Sequence, residues 1–172
     1  MKIQSPTIRF LTVCAASLFL NAQAAKPQIK ACEYLDEVTL SKAIGRKVEK
    51  ASGSGDTQSF DGFVLHTCNW SVQGGPFSQV ILVLREAPTR ALNDEGIKQA
   101  KNPTPRSGLR SQIVPGLGDM AEYNYWETES RAGISVLRGT RALEISINEA
   151  GKFDHTHKQM FVSLAQKVLS KF

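Results

Sequence analysis

Alternation of apolar and polar residues with a period of two is the strongest pattern in the second half of the chain. Leu143, Ile145 and Ile147 would share one face of a strand, while the polar residues between them share the other. Regular alternation of this kind is typical of an antiparallel sheet with one face in solvent. Less regular patterns predict five further strands, so that the predicted strands cover residues 46–50, 63–72, 78–84, 119–127, 133–138 and 141–148.

Helical spacing of apolar residues is clearest at the C-terminus. Asp154 is a suitable N-cap there, and the apolar side chains that follow repeat with the period of an amphipathic helix. Two shorter helices are predicted over residues 36–44, between the N-cap Asp36 and Gly45, and over residues 89–100. The apolar positions of the C-terminal helix are Phe161, Leu164, Ala165, Val168, Leu169 and Phe172.

The order of these elements predicts an α+β fold. About six strands form one antiparallel sheet, with the helices packed mainly on one of its faces. Each half of the chain reads as a β-meander followed by a helix, which suggests a duplication. The Ser- and Gly-rich residues 51–61, and the stretch from Pro103 to Ser111, are predicted to be loops.

The first 24 residues have the features of a secretory signal peptide. Lys2 and Arg9 precede an apolar run over residues 10–20, and a small-x-small cleavage signal ends at Ala24. The run is shorter than the roughly 20 residues that cross a bilayer, and no later segment approaches that length. We therefore expect an exported, periplasmic or secreted protein with one domain over residues 25–172 and no transmembrane segment.

Cys14 raises the alternative of a lipoprotein acylated at that cysteine. Such signals favour a small residue just before the cysteine, and Val13 stands there. The apolar run also continues beyond Cys14, into what would already be the mature protein. The cleaved signal peptide is the better interpretation.

The net charge of +5 invites a polyanion partner, but the distribution of charge argues against one. Two of the 21 basic residues and none of the 16 acidic ones lie in the predicted signal peptide, so the mature net charge is +3. The remaining basic residues are dispersed and form no aromatic-interleaved stripe. We expect no nucleic-acid partner.

Two cysteines, Cys32 and Cys68, remain after the predicted cleavage. In an oxidising compartment an even pair predicts a disulfide, here closing a loop of about 36 residues. A metal site would need further Cys or His residues at ligand spacing, and a redox site would need a CxxC motif. Neither pattern is present, so we predict a structural disulfide.

Tyr123, Tyr125 and Trp126 form an aromatic cluster on one predicted strand. Tyr123 and Tyr125 share one strand face, and Trp126 lies on the other. Exposed Tyr and Trp side chains favour partner contacts, which makes these three the candidate interaction surface. The alternative is that they pack beneath the helices.

The histidines do not form a catalytic or metal-binding pattern. His66 is expected to face inward, and on a helix His155 and His157 would point in directions about 200° apart. No catalytic residue, metal ligand or cofactor is therefore predicted.

Five segments resemble a family of small secreted or lipid-anchored bacterial proteins of unknown function. They are an Ala-Cys opening at residues 31–35, a helix closed by Gly at residues 43–45, and a second cysteine before an aromatic residue at 68–70. A Val-Pro-Gly-Leu-Gly-Asp turn at residues 114–119 and a hairpin near residues 135–145 complete the likeness. The resemblance implies the disulfide and the α+β order, but no activity. Many members are lipoproteins, and this chain lacks their acylation signal.

These features favour a non-enzymatic interaction domain, specifically an immunity or inhibitor protein whose partner is another envelope or secreted protein. A carrier of a small apolar ligand or lipid, bound between sheet and helices, is the alternative. A hydrolase with a dispersed site, using His66, is the third hypothesis.

Overall fold

The computed structural model describes residues 29–51, 55–60, 62–74, 78–94, 108–127, 130–148 and 153–172. The predicted signal peptide over residues 1–24, with the alternative acylation site Cys14, lies outside the described residues. Of the helix predicted over residues 89–100, residues 90–94 are helical, Thr89 forms a bend before them, and residues 95–100 also lie outside the described residues.

Eight antiparallel strands make up a single sheet, and the described chain is mainly β with few helices. In chain order the strands are β1 (Val48–Lys50), β2 (Thr57–Phe60), β3 (Phe63–Val72), β4 (Gln79–Glu86), β5 (Leu109–Ile113), β6 (Met120–Trp126), β7 (Arg131–Arg138) and β8 (Arg141–Asn148). Across the sheet the order is β1-β3-β4-β8-β7-β6-β5, and β2 pairs with β3 beyond the end of β1.

The antiparallel sheet is confirmed, but the expected number of about six strands was too low. The two strands that the sequence analysis missed, β2 and β5, are short and polar, and both lie at edges of the sheet. Short edge strands carry little apolar periodicity, because one of their edges and much of their side-chain surface face solvent. The loop predictions were therefore wrong at residues 57–60, which form β2, and at residues 109–111, where β5 begins.

Helices cover one face of the sheet, which we call the inner face. They are α1 (Glu37–Ile44), α2 (Lys158–Leu169) and a 3-10 turn at Ala31–Glu33. Among the described residues, no helix is both long and apolar enough to cross a membrane. The large buried side chains on the inner face are Trp70, Leu82, Leu84, Tyr123, Ile134, Leu143, Ile145 and Ile147. Those from the segments that pack on this face are Leu35, Leu40 and Phe161.

The predicted disulfide joins Cys32 to Cys68, with their Cα atoms 5.1 Å apart. Cys32 belongs to the 3-10 turn, and Cys68 is fully buried on the inner face of β3. The bond therefore ties the N-terminal cover to the sheet over a separation of 36 residues.

Asp36 caps α1, as its position in the sequence predicts. Its carboxylate accepts a hydrogen bond of 2.6 Å from the backbone N–H of Thr39, and Lys167 of α2 lies 3.3 Å from the other oxygen. The Thr39 N–H, followed by the Thr39 hydroxyl, lowers the pKa of Asp36 from 3.8 to about 2. Because the folded pKa lies below the unfolded one, this stabilisation is present above pH 3.8 and is lost as the pH falls toward 2.

Replacing Asp36 with alanine is expected to reduce the free energy of unfolding by about 1 kcal/mol at neutral pH. Asp36→Asn is the matched control, because asparagine caps helices equally well but does not titrate. We expect Asp36→Asn to keep most of the stability at pH 7 and to lose less stability than wild type between pH 4 and pH 2. Urea unfolding at both pH values checks this. Equal acid sensitivity of wild type and Asp36→Asn would rule out the cap as its source.

Candidate functional site

The face of the sheet that points away from α1 and α2 carries mostly small and polar side chains. We call it the outer face. Directly opposed residues of antiparallel strands share a face, so the strand register defines its rows. One row runs Thr67, Val83, Glu144, Ser135, Glu122, Ile113, and the next runs Asn69, Ile81, Ser146, Gly133, Asn124, Ser111.

Gly133 lies at the centre of the outer face and, like its neighbour Ser146, is buried. A Cβ atom at this position would lie 3.0 Å from the carbonyl oxygen of Ile145 and 3.5 Å from the Cβ of Ser146. Glycine therefore lets β7 and β8 pack closely. Its neighbours in the row, Asn124 and Ser146, both have side chains that can form hydrogen bonds.

Trp126 and Arg131 form a stacked pair at one end of the outer face. Trp126 ends β6, Arg131 begins β7, and the guanidinium carbon lies 4.8 Å from the centre of the indole ring. The indole N–H and the guanidinium Nε–H are buried, and neither donates a hydrogen bond to any part of the described chain. A buried donor without an acceptor costs about 1–3 kcal/mol. An acceptor supplied by a binding partner, reached by a shift of either side chain, would offset that cost.

A network of polar side chains continues along the β5–β6 edge. The hydroxyl of Ser111 lies 2.5 Å from Oε1 of Glu122 and also contacts the amide of Asn124. A serine hydroxyl has one proton, so it donates to only one of these two oxygens, Oε1 of Glu122 and Oδ1 of Asn124, at a time. Beside it, Arg110 binds Glu127 through two hydrogen bonds of 2.8 and 3.0 Å. These bonds lower the pKa of Glu127 and raise that of Arg110.

Arg85 and Asn93 close the opposite end of the outer face. Asn93 is fully buried, and its Oδ1 accepts from Nε and an NH2 group of Arg85 at 3.1 and 2.8 Å. The Asn93 amide donates to the carbonyl oxygens of Gly139 and Arg141 in and beside the β7–β8 turn. Burial lowers the pKa of Arg85. These bonds attach the helical residues 90–94 to the sheet.

The three predicted interaction residues divide between the two faces. Tyr123 is fully buried on the inner face, 5.3 Å from the ring of Phe161, and its hydroxyl donates to the carbonyl of Asp154 at 2.8 Å. Burial raises the pKa of Tyr123. Tyr125 stacks on Tyr123 at 5.7 Å and packs against the core, so Trp126 alone of the three lies on the outer face. The interaction role of these residues stays a prediction.

His66 is buried at one end of the inner face, between a hydroxyl and a carboxylate. Its Nδ1 lies 3.0 Å from the hydroxyl of Thr57, and its Nε2 lies 4.0 Å from Glu86. The order hydroxyl–imidazole–carboxylate is that of a hydrolase triad. The histidine–carboxylate separation is longer than a hydrogen bond, however, and Arg141 lies 3.3 Å from the same carboxylate. This geometry favours a structural network over a catalytic relay.

His155 and His157 lie in a 3-10 turn that leads into α2. The backbone N–H of Asp154 donates to Nδ1 of His157 at 3.3 Å, and the Asp154 side chain accepts from the backbone of the turn, so the two residues form a capping box. No group of three or more His, Cys, Asp or Glu side chains among the described residues is arranged to hold a metal ion.

Three residues of the outer face were not predicted from the sequence as site residues, namely Arg131, Gly133 and Ser146. The period-two pattern of residues 131–138 places Arg131 and Gly133 on the face opposite the apolar Ala132 and Ile134. The sequence was therefore enough to predict which face of the strand these residues occupy. The sequence alone does not give the strand pairing that places Trp126 beside Arg131.

No protein-family model matches the chain, and no curated protein does. Among solved structures, the extracellular domain of PknH from Mycobacterium tuberculosis is similar in outline, with a TM-score of 0.45 and 11% sequence identity. The matched region covers 79% of this chain and 92% of that one.

Proposed function

We propose that this chain is an exported, non-enzymatic domain that binds another envelope or secreted protein through the outer face of its sheet. The observation that carries the proposal is the Trp126–Arg131 pair, with two buried donors that lack an acceptor within the described residues. Trp and Arg are the residue types most enriched among energetically dominant interface residues. Export is supported by the disulfide, since such bonds persist in oxidising compartments.

An immunity or inhibitor protein is the specific form of this proposal. Such a protein acts by occupying a surface of its target and needs no catalytic group of its own. The outer face has an aromatic–arginine anchor at one end, and its polar side chains include the partly exposed Asn124 and the exposed Ser111. This combination suits a partner that presents hydrogen-bond acceptors near the anchor.

The apolar-ligand carrier has no observation in its favour. Its cleft was expected between sheet and helices, where the side chains of Trp70, Tyr123 and Phe161 pack fully buried. For the hydrolase, the arrangement around His66 is the only support, and the long His66–Glu86 separation weakens it.

Photo-crosslinking inside the exporting cell tests the proposed function. A photoreactive residue replaces either Ser135, at the centre of the outer face, or Val38, an exposed residue of α1 on the helical side. We expect a discrete crosslinked adduct from position 135 and none of the same mass from position 38. Equal adducts from both positions, or none from 135, would contradict the proposal.

A further inference from the structure

The edge of the sheet formed by β5 has unused backbone hydrogen-bonding groups. Val114 donates to the carbonyl of Ala121, and Glu127 donates to the carbonyl of Gly108, so even-numbered residues of this segment bond to β6. In an antiparallel pair the alternate residues point the other way. The backbone groups of Leu109, Ser111 and Ile113 therefore point outward, where no described strand pairs with them.

The side chains of Arg110, Ser111 and Ile113 are exposed, and Ile113 is 64% exposed although it is a large apolar residue. One outward group is occupied, because the amine of Lys158 donates to the carbonyl of Ile113 at 3.2 Å. A lysine at this position weakens edge pairing, as is common at exposed sheet edges.

We infer that a second copy of this chain pairs with β5, edge to edge and antiparallel, about a two-fold axis at Ser111. This inference goes beyond the proposed function. In this register Ser111 faces Ser111 of the second copy, and Leu109 faces Ile113. Each outward-pointing backbone group of one copy then faces an outward-pointing backbone group of the other copy. The two edges can therefore exchange hydrogen bonds along their full length. The two apolar residues at the ends of β5 cover each other on the outer face.

Charge selects this register over its neighbours. In the two-fold register Arg110 faces Gln112 of the second copy, whereas shifting the pairing so that Leu109 faces Ser111 would set the two Arg110 side chains opposite each other. Like charges directly opposite destabilise a strand pair. The opposite shift would pair Ile113 with Ser111 and lose the apolar contact.

The dimer is expected to be weak and concentration-dependent. A pairing of five-residue strands buries less than the roughly 1,000 Å² of a stable interface, and the Lys158 amine must leave the Ile113 carbonyl. Removing that amine in Lys158→Met frees the carbonyl for the second copy. We expect this variant to dimerise more tightly than wild type.

Disulfide trapping of the full chain tests the register. In Ser111→Cys the two introduced cysteines are opposed at a Cα separation near 5.5 Å, within the range that a disulfide spans. Gln112→Cys is the matched control, because residue 112 lies on the same strand, does not face itself in this register and leaves Arg110 in place. We expect at least about tenfold more disulfide-linked dimer from position 111 than from position 112.

Sedimentation equilibrium provides the second measurement. Ser111→Pro removes the central outward N–H and leaves the backbone bonds between β5 and β6 in place, since proline is tolerated where an edge N–H faces solvent. It also removes the hydroxyl that contacts Glu122 and Asn124, so Ser111→Ala, which keeps the N–H, is the control. We expect wild type to dimerise with rising concentration and Ser111→Pro to stay monomeric. Equal trapping at positions 111 and 112, or a wild-type chain that stays monomeric, would overturn the inference. A monomeric wild type would leave the edge to an extended segment of another protein.

Discussion

Replacing both Cys32 and Cys68 with alanine is expected to lower the free energy of unfolding by about 4 kcal/mol. The disulfide closes a loop of 36 residues, and the loss of chain entropy in the unfolded state accounts for a stabilisation of about this size. Alanine is preferred to serine because Cys68 is fully buried, where a serine hydroxyl would need a hydrogen-bond partner. Urea unfolding of both chains measures the difference.

The matched control is the wild-type chain with its disulfide reduced, which changes no side-chain volume. Reduced wild type and the double alanine variant should unfold at similar urea concentrations, both well below the oxidised protein. A loss of less than about 1 kcal/mol in both would show that the 3-10 turn at Ala31–Glu33 stays docked on β3 without the covalent bond.

Removing the side chain of Asn93 is expected to cost about 3 kcal/mol of unfolding free energy. Asn93→Ala removes the two bonds from Arg85 to Oδ1 of Asn93, while the bond to the Asn93 backbone carbonyl remains. It also leaves two backbone carbonyls, those of Gly139 and Arg141, without this donor. Buried groups that lose a partner each cost about 1–3 kcal/mol, most when the group is charged. Thermal or urea unfolding of the purified chain provides the measurement.

Leu92→Ala is the matched control for Asn93, because the neighbouring side chain is exposed and outside the hydrogen-bond network. We expect it to change the unfolding free energy by less than about 0.5 kcal/mol. If both variants lost equal stability, residues 90–94 would be held by general packing and not by the Asn93 hydrogen bonds.

The periodicity of apolar residues was enough to predict those strands and helices that bury one face and expose the other. In β3 the pattern placed His66 inward, and it is buried on the inner face together with Cys68 and Trp70, which share its period-two positions. The C-terminal helix was equally clear, since its apolar stripe is what packs against β7 and β8. In both elements local sequence and tertiary packing point the same way.

The missed parts depend on partners that are distant in the sequence. The polar β2 and β5 are strands because β3 and β6 supply their hydrogen bonds, and their own side chains give no period-two signal. From the sequence, Asn93 is an ordinary polar residue of a helix. It is buried, and joins the helical residues 90–94 to the sheet, because the β7–β8 turn lies beside it. The stacking of Arg131 on Trp126 likewise needs the register between β6 and β7.

The central claim is that the outer face, anchored by Trp126, binds a partner protein. It is tested most directly by repeating the crosslinking from position 135 with Trp126→Ala, and with Val38→Ala as an exposed apolar control on α1. Loss of a dominant interface residue costs at least about 2 kcal/mol of binding, a roughly 30-fold loss of affinity. We predict that the adduct disappears with Trp126→Ala and persists with Val38→Ala. An adduct of unchanged yield from a folded Trp126→Ala chain would contradict the claim.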